Sequence, residues 1–288
     1  KTFSYFFGMP KVNLRNPETA RYFTDVALHW LRRTGADGWR LDVADEISHE
    51  FWKGFRRAVK QEFPDALIVG EVWNHAPDFL QGDEWDSVMN YPFYRAVLDF
   101  AVEGVSTASE FLGALGFQRG NTHTAAWPLL WNLMGSHDTP RLLHLCGGDR
   151  ERHRLAAAIQ LLSPGMPMIY YGDEVGMTGT KDPDCRRGML WDRSRWDEDT
   201  WAHYRRLLQL RKAHPALTEG SLVRQDAWDD LSLIRITREK AGRTVTVIFH
   251  AAEGAVQLPE LAGKTDLLTG KVFGGTLTGF RALVFLAA

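Results

Sequence analysis

Three acidic residues stand at the ends of three apolar runs, and that pattern can do chemistry. The runs are Gly38-Trp39-Arg40-Leu41 leading to Asp42, Leu67-Ile68-Val69-Gly70 leading to Glu71, and Leu129–Met134 leading through Gly135-Ser136-His137 to Asp138. Arg40 and Asp42 stand two apart, so an extended chain points them to the same face. Opposite charges in an apolar strand are expensive unless they face each other or a ligand. A cation beside a carboxylate keeps it ionised, as a carboxylate nucleophile requires. A structural ion pair that only sets strand register accounts for the same two residues, so on this stretch alone both readings stay open. Two carboxylates facing one cleft support retaining glycoside hydrolysis. One is an ionised nucleophile and the other a proton donor roughly 5–5.5 Å away. A third carboxylate, Asp138, and its neighbour His137 can hold sugar hydroxyls, and Trp73 is placed to stack on a sugar ring.

These residues need elements to position them. Asn16-Pro17-Glu18 reads as a helix start, with Asn as cap and Pro in the first turn, and Gly35 as the stop. A buried strand over 39–43, a helix over 49–63 and a strand over 66–72 follow. The order strand, helix, strand with continuous apolar strands predicts a parallel sheet covered by helices. Further strands are expected near 88, 131 and 168, with helices over 94–102, 108–117, 149–162 and 200–212. Beyond Pro215 the pattern alternates between Gly and Asp breaks, with strands expected over 231–237, 244–250, 255–258, 265–268 and 282–287. The expected fold is therefore α/β. Residues 1–215 form the C-terminal part of a (β/α)₈ TIM barrel, about five βα units (strands 4–8). Residues 216–288 form a small antiparallel β-sandwich domain. A complete barrel takes about 250 residues, so the first three units are expected to be missing. In such a barrel the C-terminal strand ends build the active site, which is where Asp42, Glu71 and Asp138 fall.

The 288 residues carry a net charge of -2 with no long run of one sign, which argues against nucleic acid or an anionic membrane as partner. No apolar run approaches the roughly 18 residues of a membrane span. Two cysteines, Cys146 and Cys185, imply no disulfide framework. Aromatics make up 12%, including 11 Trp, which fits either core filling or a sugar-binding cleft. The start, Lys1-Thr2-Phe3, has neither a methionine nor a signal-peptide pattern, so a fragment and a cytoplasmic location are the expectations.

Taken together, these motifs resemble the alpha-amylase family of glycoside hydrolases. Gly38–Asp42 is similar to its nucleophile strand, Gly70-Glu71-Val72-Trp73 to its acid/base strand, and Asn132–Thr139 to the strand of the third carboxylate. Met9-Pro10-Lys11-Val12-Asn13, Tyr170–Met177 and Asp182–Arg187 resemble the neopullulanase, cyclomaltodextrinase and maltogenic amylase branch. The resemblance implies Asp42 as nucleophile, Glu71 as acid/base and Asp138 as transition-state stabiliser. It implies substrate contacts from Arg40, His137, Trp73, Tyr91, Asn13, Asp182 and Arg186, with Phe3 as a further stacking candidate. For Asp182 and Arg186 a salt bridge that staples a loop is the competing reading. The implied substrate is an α-glucan oligosaccharide: cyclodextrin, pullulan or maltooligosaccharide, cut at α-1,4 and also α-1,6 bonds. A transglycosylase of the same family, trehalose- or sucrose-active, and a non-catalytic sugar-binding relative are the alternatives. No cofactor is expected for this piece. Calcium and a homodimer are expectations for the full-length protein only, and the piece alone is expected to be inactive. Two departures stand out: the branch usually has Asn where this chain has Asp45, and often His where it has Asn74.

Overall fold

The computed structural model describes residues 2–287. Helix α1 (Pro17–Thr34) begins where Asn16 accepts backbone hydrogen bonds from Glu18 (2.8 Å) and Thr19 (3.4 Å), with Pro17 in its first turn. It stops at Gly35, whose left-handed φ of 67° closes the last turn. Strand β1 (Gly38–Leu41) leads into α2 (His49–Glu62), which is capped by the side chain of Ser48. Strands β2 (Leu67–Gly70) and β3 (Ser87–Val88) follow, then α3 (Tyr91–Val97) and α4 (Ala108–Asn121). Next come β4 (Trp131–Leu133), α5 (Leu142–Leu145), α6 (Arg150–Leu162), β5 (Met166–Met168) and α7 (Glu198–Ala213). The chain closes with β6 (Ser221–Trp228), β7 (Leu233–Lys240), β8 (Arg243–His250), β9 (Ala255–Gln257), β10 (Thr276–Thr278) and β11 (Arg281–Ala287).

The chain divides into two compact units. One holds the chain up to Pro92 together with Gln118–Trp131; the other holds Phe93–Phe117 and the chain from Asn132 onward. In the first unit β1, β2 and β3 form a parallel sheet in that order, with Leu41 opposite Gly70 and Gly70 opposite Val88. Met89 makes a parallel bridge to Trp131. The core of this unit is aromatic: Phe51, Trp52 and Phe55 of α2 pack with Trp85, Ile68, Leu28 and Leu31. Gly70 has no alternative here. A Cβ at this position would stand 2.6 Å from the Trp85 ring, so the residue before Glu71 must be glycine for the tryptophan to seat.

In the second unit β4 pairs with β5, and α6 is buried along most of its length. Its Gln160 side chain donates to the carbonyls of Asn132 (2.9 Å) and Met168 (2.8 Å), tying both strands to the helix. The terminal strands form a four-stranded antiparallel sheet, β11-β8-β7-β6, and a two-stranded one, β10-β9. Val247, Phe249 and Val284 of the larger sheet share one core with Leu155, Ala158 and Ile159 of α6.

The elements depart from sequence expectation in instructive places. β1 is half-buried rather than buried and ends at Leu41, so Asp42 lies one residue past it. The expected strand over 265–268 is a turn. Buried Asp266 accepts backbone hydrogen bonds from Leu268, Thr269 and Val284, and this side-chain grip replaces a ladder. β6 lies outside the strands expected from sequence: its outer face is solvated, a bulge at Leu222/Arg224 breaks its period, and β7 supplies its register.

Candidate active site

In the first unit the parallel register of β1 and β2 brings Asp42 and Glu71 out side by side, each one residue beyond a paired strand end. Arg40 spans them. Its guanidinium lies 2.6 Å from Asp42 Oδ1 through one amino group and 2.9 Å from Glu71 Oε1 through the other. The two carboxylates differ sharply in surroundings: the Asp42 side chain is 72% exposed and that of Glu71 5%. Glu71 is further held by main chain. Its Oε2 accepts from the Val43 N–H at 3.1 Å, its carbonyl from Ala44 N–H at 3.2 Å, and its own N–H donates to Leu41 at 2.8 Å.

Trp73 is 49% exposed and lies flat on Tyr91, with ring centroids 3.9 Å apart and planes 13° apart. One face of the indole is therefore supported from beneath. Tyr91 itself is buried, beneath the indole of Trp73. Phe3 is half-buried. It sits under the Lys11 ammonium (4.9 Å) and lines an apolar cavity of about 400 Å³ with Val12, Phe23, Trp39 and Phe51. Asn13 is exposed and accepts from the Arg15 N–H at 3.2 Å.

Sequence reasoning missed a tie between distant segments. Glu46 receives Lys11 at 2.6 Å and the Ser4 N–H at 2.8 Å, and Lys11 also donates to the Glu46 carbonyl at 2.9 Å. The bond from Lys11 holds the Glu46 carboxyl below its usual range. This clamps the Met9–Asn13 motif to the loop four residues beyond Asp42. The only signal in the sequence was an opposite-charge pair 35 positions apart, which no local pattern can match.

In the second unit Asp138 is gripped on both oxygens. His137 Nε2 lies 3.0 Å from Oδ2, and Arg186 Nη2 donates to Oδ1 at 3.0 Å. Arg186 Nε also donates to the His137 carbonyl (3.0 Å) and pairs with Asp182 at 2.7 Å. The loop staple and the contact with Asp138 thus coexist in one guanidinium. Below them Arg141 is fully buried, donates to the Tyr171 carbonyl at 2.6 Å and lies over the rings of Tyr170 and Tyr171. Burial pushes the Asp173 carboxyl up to about 8, against the opposing pull of Arg141. Among the described residues no group of three or more His, Cys, Asp or Glu is arranged to hold a metal ion, and no helix is long and apolar enough to cross a membrane.

Residues 3–199 match the alpha amylase catalytic domain. The chain belongs to the alpha-amylase family. It is 42% identical over 277 residues to a cyclomaltodextrinase from Geobacillus thermopakistaniensis (strain MAS1), covering 94% of this chain and 47% of that protein. It is likewise 42% identical over 274 residues to neopullulanase 2 of Thermoactinomyces vulgaris, covering 93% and 47%. Among solved structures it superposes on the cyclic alpha-maltosyl-(1→6)-maltose hydrolase of Arthrobacter globiformis, ligand-free form. The TM-score is 0.88 at 34% identity, with 100% of this chain and 64% of that one covered. The chain spans about half the length of the curated relatives it matches.

Proposed function

We propose that the protein containing this chain is a retaining glycoside hydrolase. Its substrates are α-1,4 and α-1,6 glucosidic bonds of cyclodextrins, pullulan or maltooligosaccharides. The observation that carries the reading is Arg40 spanning one exposed and one buried carboxylate. Relatives named cyclomaltodextrinase and neopullulanase support the substrate class. In this reading Asp42 attacks the anomeric carbon as the bond to the leaving oxygen breaks, and Glu71 gives its proton to that oxygen. Glu71 then takes a proton from water, whose oxygen displaces Asp42 and restores the original anomeric configuration. Asp138, His137, Asp182 and Arg186 hold sugar hydroxyls, and Trp73 stacks on a ring. No cofactor enters these steps.

Residues 1–215 in this reading belong to a (β/α)₈ barrel and 216–288 to an appended β-sandwich. The 288-residue chain alone does not turn over β-cyclodextrin. In support, the outer edge of β1 has no strand partner among the described residues, and the apolar cavity lined by Trp39 and Leu41 lies beside it. Proton NMR of the first product from maltotriose, made by the natural polypeptide, tests the main reading. The α-anomer is expected first, and both Asp42→Asn and Glu71→Gln are expected to lower turnover at least a thousandfold. A β-anomer first product, or full turnover by Asp42→Asn, overturns it. Robust cyclodextrin turnover by the 288-residue chain overturns the second statement alone.

A further inference from the structure

We infer that Val43 is a positioning residue for Glu71, acting through its main-chain N–H. The inference rests on Glu71 being the proton donor. Val43 has φ 44° and ψ 46°, in the left-handed region. A β-branched residue there is a backbone outlier, because its branched Cβ crowds the neighbouring peptide groups. Such a conformation persists only where surrounding structure imposes it, and such outliers gather at functional sites.

The structure around Val43 says what the outlier achieves. In extended chain successive N–H groups point to opposite sides. Here the left-handed turn sends the N–H groups of Val43 and Ala44 to one residue, Glu71: the first to carboxylate Oε2 at 3.1 Å, the second to the carbonyl at 3.2 Å. The arrangement is a small concavity of main-chain donors closed around an acidic side chain. Arg40 occupies the other carboxylate oxygen, Oε1, at 2.9 Å. One oxygen of this buried carboxyl thus accepts a main-chain N–H, and the other meets the charge of Arg40 as an ion pair. Arg40 also serves Asp42, but the Val43 N–H contact is made to Glu71. It holds the proton donor without engaging the carboxylate of the nucleophile.

This separation defines the test. Replacing Val43 by its α-hydroxy acid, through nonsense suppression in the natural polypeptide, exchanges the N–H for an oxygen and leaves the side chain intact. With maltotriose, whose leaving sugar needs a proton, kcat is expected to fall at least tenfold with KM within twofold. With α-maltosyl fluoride, whose fluoride leaves without protonation, the single-turnover rate of fluoride release is expected to stay within threefold; that first step is the readout, because Glu71 also serves as base in the second. Val43→Asn, which tolerates the left-handed conformation and keeps the N–H, is expected to stay within threefold on both substrates. Equal losses on the two substrates, or no loss on maltotriose, overturns the inference. Loss confined to maltotriose in a folded Val43→Asn also overturns it. Glu71→Gln, run alongside, separates this outcome from failure of the underlying reading. If that variant does not itself lose maltotriose turnover while sparing single-turnover fluoride release, Glu71 is not the proton donor and the assignment of the site falls with it.

Discussion

Replacing Arg40 by Met should reveal which of its two carboxylate partners the fold depends on. Asp42 is 72% exposed, so its bond to Arg40 is a surface ion pair, worth about 0–1 kcal/mol. Glu71 is 5% exposed, and removing its cation leaves an acidic group with little access to water. Breaking a fully buried pair costs about 3–5 kcal/mol. Arg40 is itself 29% exposed, so that figure is discounted to about 2–3 kcal/mol here. Urea unfolding of the natural polypeptide, followed through two double-mutant cycles, measures the difference. Arg40→Met with Glu71→Gln should show a coupling of about 2 kcal/mol. The cycle with Asp42→Asn should show less than about 1 kcal/mol. Equal couplings, or a larger one to Asp42, refute the reasoning that burial decides the strength of the pair.

Three further outcomes are expected. A Cβ on Gly70 meets the Trp85 ring at 2.6 Å, so Gly70→Ala should destabilise by about 1–3 kcal/mol in urea unfolding; an unchanged midpoint contradicts the packing. Trp73→Ala should raise KM for maltotriose about tenfold, or about 1.4 kcal/mol, with kcat less affected, and Trp73→Phe should recover part; an unchanged KM removes Trp73 from substrate contact. His153 is fully buried, and burial lowers its pKa to about 4, with His203 and Arg154 adding to the fall and Asp197 opposing it. The unfolded chain, with an ordinary value of 6.5, binds the proton that the folded one refuses. Stability is therefore fully present above about pH 6.5 and falls as pH drops towards 4, by about 3 kcal/mol from this group. Unfolding midpoints at pH 7 and pH 5 should converge in His153→Phe, and an undiminished gap there excludes His153 as the cause.

Residue order carried a large share of this protein by itself. The cap at Asn16, the stop at Gly35 and the helix–strand alternation are local events, decided by side chains within four positions of each other, and they were legible. The placement of Asp42 and Glu71 just past strand ends was legible too, because an acid at the end of an apolar run is conspicuous in one dimension. What only tertiary structure decided is anything that depends on register between strands or on which surface is left over. Pairing Leu41 with Gly70 is what lets one arginine reach both Asp42 and Glu71. Trp73 seats on Tyr91, a pairing that buries the Tyr91 ring. Lys11 met Glu46 across 35 positions, and Val43 took a conformation that its own side chain disfavours. Each of these outcomes compensates a local cost with contacts from residues far along the chain. Local preferences are written in neighbouring letters; the contacts that override them exist only once the strands are paired.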